Sequence, residues 1–194
     1  MQQHTYAIMD EVEGSHWWFV GRRAILDSFL KQISGKITTP TDGLRILDVG
    51  CGTGANLEML SAYGQAEGVD VSDDALAFCE NKGLKAQKGL AESLPFADET
   101  FDLVLTCGVL EYTPLDDGLR EAARVLKKGA ALVFVPVKPS IVGAVLELLY
   151  NFKIHPVASV RTAAKKYFRI IGNHEFPVTE PISWSKTIFL LEKI

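Results

Sequence analysis

The chain has 194 residues, 47% hydrophobic and 23% charged, which fits one ordinary globular domain and is too apolar for a disordered segment. Lys and Arg number 20 against 24 Asp and Glu, and the resulting formal charge of −4 gives no overall basic footprint for nucleic acid. Cys51, Cys79 and Cys107 form neither an even disulfide set nor a paired metal spacing, so the expected setting is a reducing cytoplasm with no bound metal.

The opening "MQQHTYAIMDEVEG" lacks the basic start and apolar run of a secretory signal. The later "IVGAVLELLY", Ile141 to Tyr150, is interrupted by Glu147 and falls far short of the about 20 residues that span a bilayer. No membrane span is expected.

In "SHWWFVGRRAILDSFLKQI", Trp18, Ile25, Leu26, Phe29, Leu30 and Ile33 recur at helical spacing, which predicts an N-terminal helix, with "SGKITTPTDG" as linker. From Leu44 short apolar runs alternate with helical stretches, the pattern of parallel βαβ units. "LRILDV" reads as a first strand, and a glycine turn leads to the helical "ANLEMLSAYG", with Gly64 just past the helix end. "AEGVDV" is the second strand. Ser72, followed by Asp73 and Asp74, caps the next helix, which Gly83 stops. A short strand at "KAQK", the loop "GLAESLPFADET" and a buried-looking strand Phe101 to Cys107 follow.

Between Pro114 and Leu126 the period changes, placing Leu115, Leu119, Ala122, Ala123 and Leu126 on one helical face. "GAALVFVPV" is the fifth strand. Two helices are expected at about 140–151 and 159–171, then final strands at "HEFPV" and "SWSKTIFLLEKI".

The informative stretch is "LDVGCGTGAN", Leu47 to Asn56. A strand ending in a glycine turn and feeding a helix leaves backbone N–H groups open to a ligand. Asp70 ends the second strand about 20 residues after the first glycine, the place from which a carboxylate accepts from ribose hydroxyls. A nucleoside ligand is therefore expected. Gly50, Gly52 and Ala55 also satisfy the G-x-G-x-x-G/A dinucleotide pattern, which keeps a nicotinamide-dependent oxidoreductase as an alternative. Asp48 separates the two: a carboxylate beside the turn repels a pyrophosphate and suits a ligand carrying an ammonium and a sulfonium.

"ILDVGCGTG", "GVDVS", "AESLPFADETFDLVLT" and "VLEYTPLDDGLREAARVLKKGAALVF" together resemble, in order and spacing, the successive motifs of class I S-adenosylmethionine-dependent methyltransferases, closest to small-molecule members of the type 11 kind. The likeness runs from about Leu44 to Val137, with Lys128 where proline is common. It implies an α/β doubly wound, Rossmann-like three-layer sandwich whose seven-stranded mixed sheet has its last strand antiparallel, plus the N-terminal helix. The whole of 1–194 would be a single domain: an N-terminal helical cap and linker (1–43), a cofactor-binding core (44–137), a helical acceptor-side insertion (138–174) and the final strands (175–194).

Carried over position by position, the resemblance implies S-adenosylmethionine as cofactor and S-adenosylhomocysteine as product. Gly50, Cys51 and Gly52 would let the backbone approach the methionine part, with Asp48 toward its amino group and the Cys107 carbonyl assisting. Asp70 would hold the ribose, Val71 would pack on adenine, and the backbone of Leu90 and Ala91 would meet the adenine edge. Leu90 stands where many relatives have an acid, so one side-chain hydrogen bond is lost unless Glu92 or water replaces it. A methyl transfer by direct displacement to a small-molecule acceptor follows, with a non-catalytic cofactor- or partner-binding module as the alternative.

No general base is identified. Trp17, Trp18, Arg22, Tyr112 and His174 are candidate acceptor-side residues; core packing explains the tryptophans, and a surface charge explains Arg22, at least as readily. His16 reads as a helix-start residue. Cys51 reads as structural, since a thiol beside a carboxylate resists ionisation. The basic face Arg161, Lys165, Lys166 and Arg169 reads first as solvated, and second as a contact for anionic lipid or an acidic acceptor.

Overall fold

The computed structural model describes residues 3–34, 43–137, 139–174 and 186–194. Seven strands form one sheet: β1 (Leu44–Val49), β2 (Gly64–Asp70), β3 (Ala86–Lys88), β4 (Phe101–Cys107), β5 (Leu126–Val135), β6 (Phe168–His174) and β7 (Ile188–Lys193). Their order is β3-β2-β1-β4-β5-β7-β6, and β7 runs antiparallel to both of its neighbours. The helices are α1 (Gln3–Glu13), α2 (Trp17–Ser34), α3 (Ala55–Leu60), α4 (Asp73–Asn81), α5 (Leu115–Val125), α6 (Ile141–Tyr150) and α7 (Val157–Ala164). The doubly wound α/β architecture is thus the one expected, with the strand order reversing between β1 and β4.

Both sheet faces are covered, which is why the central strands are buried along most of their length and carry apolar runs rather than strict alternation. One core joins Leu47, Val104, Leu132 and Phe134 to Leu119, Ala122 and Ala123 of α5 and to Val160 and Ala164 of α7. The other joins Ile46, Leu103, Leu105 and Val133 to Leu26, Leu30 and Ile33 of α2, with Trp18, Ile25 and Phe29 packed alongside. The helical stripe read from the N-terminal sequence is therefore a sheet-facing stripe. Ser72 caps α4 by accepting from the Ala75 N–H, and Gly83 follows that helix at φ +68°.

Two local expectations are corrected. Helix α3 stops at Leu60, and Gly64 opens β2 instead of closing a helix; opposite Leu44 in the ladder, a Cβ there would lie 2.2 Å from the Leu44 carbonyl oxygen. The second C-terminal helix ends at Ala164 rather than running to 171, because Phe168–His174 pairs with β7 as β6. Apart from His174, the strand expected at 174–178 lies outside the described residues, as does the linker expected at 34–43 apart from Ser34, which ends α2, and Gly43. Helix α1 was not expected as an element at all. Among the described residues no helix is long and apolar enough to cross a membrane.

Candidate active site

At the carboxyl ends of β1, β2 and β4 lies a cavity of about 570 Å³, the size range of nucleoside and cofactor sites. Its floor is the glycine turn. Gly50 has φ +72°, and a Cβ there would meet Val109 Cγ2 at 2.2 Å, so the turn packs against the loop after β4 only without a side chain. The Gly50 and Cys51 N–H groups donate to the Val69 carbonyl at 2.7 and 3.1 Å. Asp70 braces the same turn, its carboxylate accepting from the Gly52 N–H and the Ser72 N–H, each at 3.0 Å.

The cavity gathers Gly50, Cys51, Gly52, Asp70, Val71, Leu90, Ala91 and Cys107 from the expected cofactor set, and Trp18, Arg22 and Tyr112 from the expected acceptor side. Asp48 is not among the lining residues. It is buried, and neither carboxylate oxygen has a hydrogen-bond partner. Burial pushes its pKa up to about 8; the Arg22 guanidinium pulls the other way, and Cys79 and Asp70 add to the rise. At neutral pH the ligand-free carboxyl is thus largely protonated, and a nearby cation would ionise it. Arg22, expected to reach an acceptor carboxylate, is the positive charge felt by Asp48, and its Nε is buried without a partner.

Trp17 is exposed and lies outside the lining. The side chain of His174 lies outside the described residues. His16 accepts at Nδ1 from the Trp18 N–H at 3.3 Å, a helix-start contact. The Cys51 thiol is pushed up by its hydrogen bond with Cys79, by burial and by Asp48, in keeping with a structural role.

The sequence reading missed the roof and the Glu111–Lys186 pair. Thr5, Tyr6, Met9 and Glu13 of α1 line the cavity. Tyr6 is buried, which raises its phenol pKa above the ordinary value, and Glu13 is buried where it accepts from Thr53 Oγ1 in the glycine turn. Their spacing of three and four along the helix was a legible signal. Away from the glycine turn, Glu111 and Lys186 line the cavity together; they are 75 positions apart, and no local pattern links them. Near Leu90, one carboxylate oxygen of Glu92 is buried without a partner, an open acceptor beside the expected adenine edge.

Residues 47–134 match the family model described as a methyltransferase domain. The match and the fold together support a class I S-adenosylmethionine-dependent methyltransferase. It is 34% identical over 106 residues to a fatty-acid O-methyltransferase of Mycolicibacterium smegmatis, covering 50% of this chain and 39% of that one. It is 33% identical over 152 residues to an uncharacterised protein of Methanocaldococcus jannaschii, covering 74% and 66%. The chain therefore spans less than two thirds of either relative's length. In fold it resembles the geranyl diphosphate C-methyltransferase of Streptomyces coelicolor A3(2), solved with Mg2+, geranyl diphosphate and S-adenosyl-L-homocysteine, at a TM-score of 0.73 and 14% identity over 88% of this chain and 80% of that one.

Proposed function

We propose that this chain transfers a methyl group from S-adenosylmethionine to a small-molecule acceptor by direct displacement. The observation that carries the reading is Asp48: a buried carboxyl with two unpartnered oxygens beside a glycine turn answers a ligand cation and not a diphosphate. Bound there, the cofactor supplies an activated methyl group on a positively charged sulfur.

The chain's own residues fit that ligand. The backbone of Gly50 and Gly52 lets the amino-acid portion approach, and Asp48 acts as a buried charge beside the floor. Asp70, already accepting two N–H bonds, keeps lone pairs for ribose hydroxyls. Val71 and Leu90, both apolar and about half exposed, flank the place for adenine, and Glu92 offers the acceptor that Leu90 lacks. Helices α1 and α2 line the cavity opposite the glycine turn, where they would shield the reacting centre from water. The aromatic walls Trp18, Phe19, Tyr112 and Phe152 suit an acceptor with an apolar body, a reading supported by the fatty-acid substrate named for one relative.

Calorimetric titration with S-adenosylhomocysteine tests the cofactor half, with NADH as the competing ligand. Micromolar to sub-millimolar binding of the former alone is the expected result, and binding of NADH alone overturns the reading. Transfer of label from methyl-labelled S-adenosylmethionine into a metabolite extract tests turnover; a persistent blank with intact cofactor binding would favour the non-catalytic module.

A further inference from the structure

Glu111 and Lys186 meet in the cavity wall away from the glycine turn. Glu111 follows β4, and Lys186 bridges Val137 just before β7; both are more than nine-tenths buried. Glu111 Oε1 accepts from the Val137 N–H at 2.6 Å, while Oε2 is buried with no partner. Lys186 Nζ stands 3.9 Å from Oε1, within ion-pair range but beyond hydrogen-bond length. The nearby Thr113 hydroxyl also lines the cavity and is buried unpartnered. Tyr112 and Phe152, with ring centroids 5.5 Å apart, form an apolar wall beside this polar group.

A buried carboxylate oxygen without a donor is costly, and a ligand that supplies one removes the cost. Charge selects the ligand further. The pair is neutral as a whole, so an anionic head group meets the free Glu111 oxygen and a cationic one meets Lys186. A hydroxyl satisfies both, donating its O–H to Glu111 Oε2 while its oxygen accepts from Lys186 Nζ.

We propose that Glu111 and Lys186 form the acceptor subsite for a neutral hydroxyl-bearing molecule with an apolar body, and that Glu111 Oε2 receives the hydroxyl proton. This rests on the methyltransferase reading and names its acceptor class. As the oxygen becomes nucleophilic the O–H bond breaks, its electron pair stays on oxygen, and the proton passes to Oε2. Lys186 remains protonated against the negative oxygen. Glu111 then returns the proton to solvent.

The test is calorimetric and does not depend on turnover. The full chain, with and without saturating S-adenosylhomocysteine, is titrated with 4-pentylphenol, hexanoate and hexylamine. The phenol is expected to bind at least tenfold more tightly than the acid or the amine. Glu111→Gln retains a carbonyl oxygen for the Val137 N–H but turns an NH2 toward the ligand, so phenol affinity should fall at least tenfold with an unchanged melting temperature. Lys186→Met should weaken the phenol by a similar factor, and it carries the test if Glu111→Gln does not fold. The proposal is overturned if hexanoate or hexylamine binds best, if phenol does not bind, or if these substitutions leave its affinity unaltered. Failure of S-adenosylhomocysteine to bind counts separately, against the cofactor assignment, because the phenol series without it still reads the subsite.

Discussion

Glu13, at the end of α1, accepts a hydrogen bond from Thr53 Oγ1 in the glycine turn, and so joins the roof of the cavity to its floor. Lys82 of the turn after α4 reinforces the joint, reaching Asp10 at 2.5 Å, Glu13 at 3.4 Å and the Thr53 carbonyl at 2.9 Å. The helix that roofs the cavity is therefore held by the loop proposed to bind the cofactor.

Replacing Glu13 by Ala leaves the buried Thr53 hydroxyl without its partner, while Lys82 keeps Asp10 and the carbonyl. The expected cost is about 1–3 kcal/mol, that of an unsatisfied buried polar group, expressed mainly as opening of α1. Hydrogen exchange should speed up in 3–13 and not in β1 or β4, and S-adenosylhomocysteine should bind several-fold more weakly. Unchanged exchange in α1 would show that Glu13 does not hold the roof.

Asp48 gives the stability a pH slope whose sign is fixed. Its folded pKa of about 8 lies above the ordinary 3.8, so between those values the folded chain holds a proton that the unfolded chain has lost. This contribution is fully present below the ordinary value and is lost as pH rises through the folded one, at most about 1.4 kcal/mol per pH unit. Asp48→Asn, which cannot ionise, should flatten ligand-free stability between about pH 4 and pH 8, as read by urea midpoints, and abolish cofactor binding.

The same group predicts a proton signature for binding. A cation arriving beside a protonated Asp48 favours its ionised form, so S-adenosylhomocysteine binding near pH 7 should release up to one proton per ligand. Binding enthalpies measured in phosphate and in Tris should differ in proportion to their ionisation enthalpies. Asp48→Asn should remove the difference, and equal wild-type enthalpies in the two buffers would contradict the assignment.

What could be read in advance was what is local in the chain. The turn at Gly50 to Gly54, the Ser72 cap and the stripe from Leu115 to Ala123 each announce themselves within a few residues, and the structure has them as expected; Leu126, expected on the same helical face, instead opens β5. Asp48 and Asp70 were legible as acids at strand ends, but the unpartnered state of Asp48 depends on what surrounds it. The stretch "YFRIIGNH" carries apolar residues that suit a helix as well as a strand; pairing with β7, nearly twenty positions on, decides the matter. Glu111 needed Lys186 across the sheet before it became a site.

Glu92 tests how the chain manages without an acid at position 90. Its unpartnered Oε2 is an acceptor near the proposed adenine end of the cavity. Glu92→Ala should weaken S-adenosylhomocysteine by about three- to tenfold, the range of one net hydrogen bond. The double variant with Leu90→Asp should regain most of the loss. If Glu92→Ala binds like wild type, water rather than Glu92 meets the adenine amino group.

Arg124 of α5 fixes the loop that follows Glu92. Its guanidinium donates to the carbonyls of Leu94 at 3.0 Å and Phe96 at 2.8 Å, to Asp98 at 2.7 Å, and to both oxygens of Glu121 at 2.8 and 2.9 Å. Glu121 completes the clamp by accepting from the Leu94 N–H at 2.9 Å. The hydrogen bond from Arg124 is the main cause holding the Glu121 carboxyl below its ordinary pKa, so its stabilisation is present above that value and lost as pH falls through the depressed one. Arg124→Met should cost about 1–3 kcal/mol, since the group is partly exposed and solvent screens part of the charge interaction. It should also make stability less sensitive to acid and weaken S-adenosylhomocysteine several-fold through a loosened 90–98 loop. Arg124→Lys keeps the charge but not the planar fork, and should recover little of either. Full recovery with Lys would mean that charge alone, rather than the five-bond geometry, orders the loop.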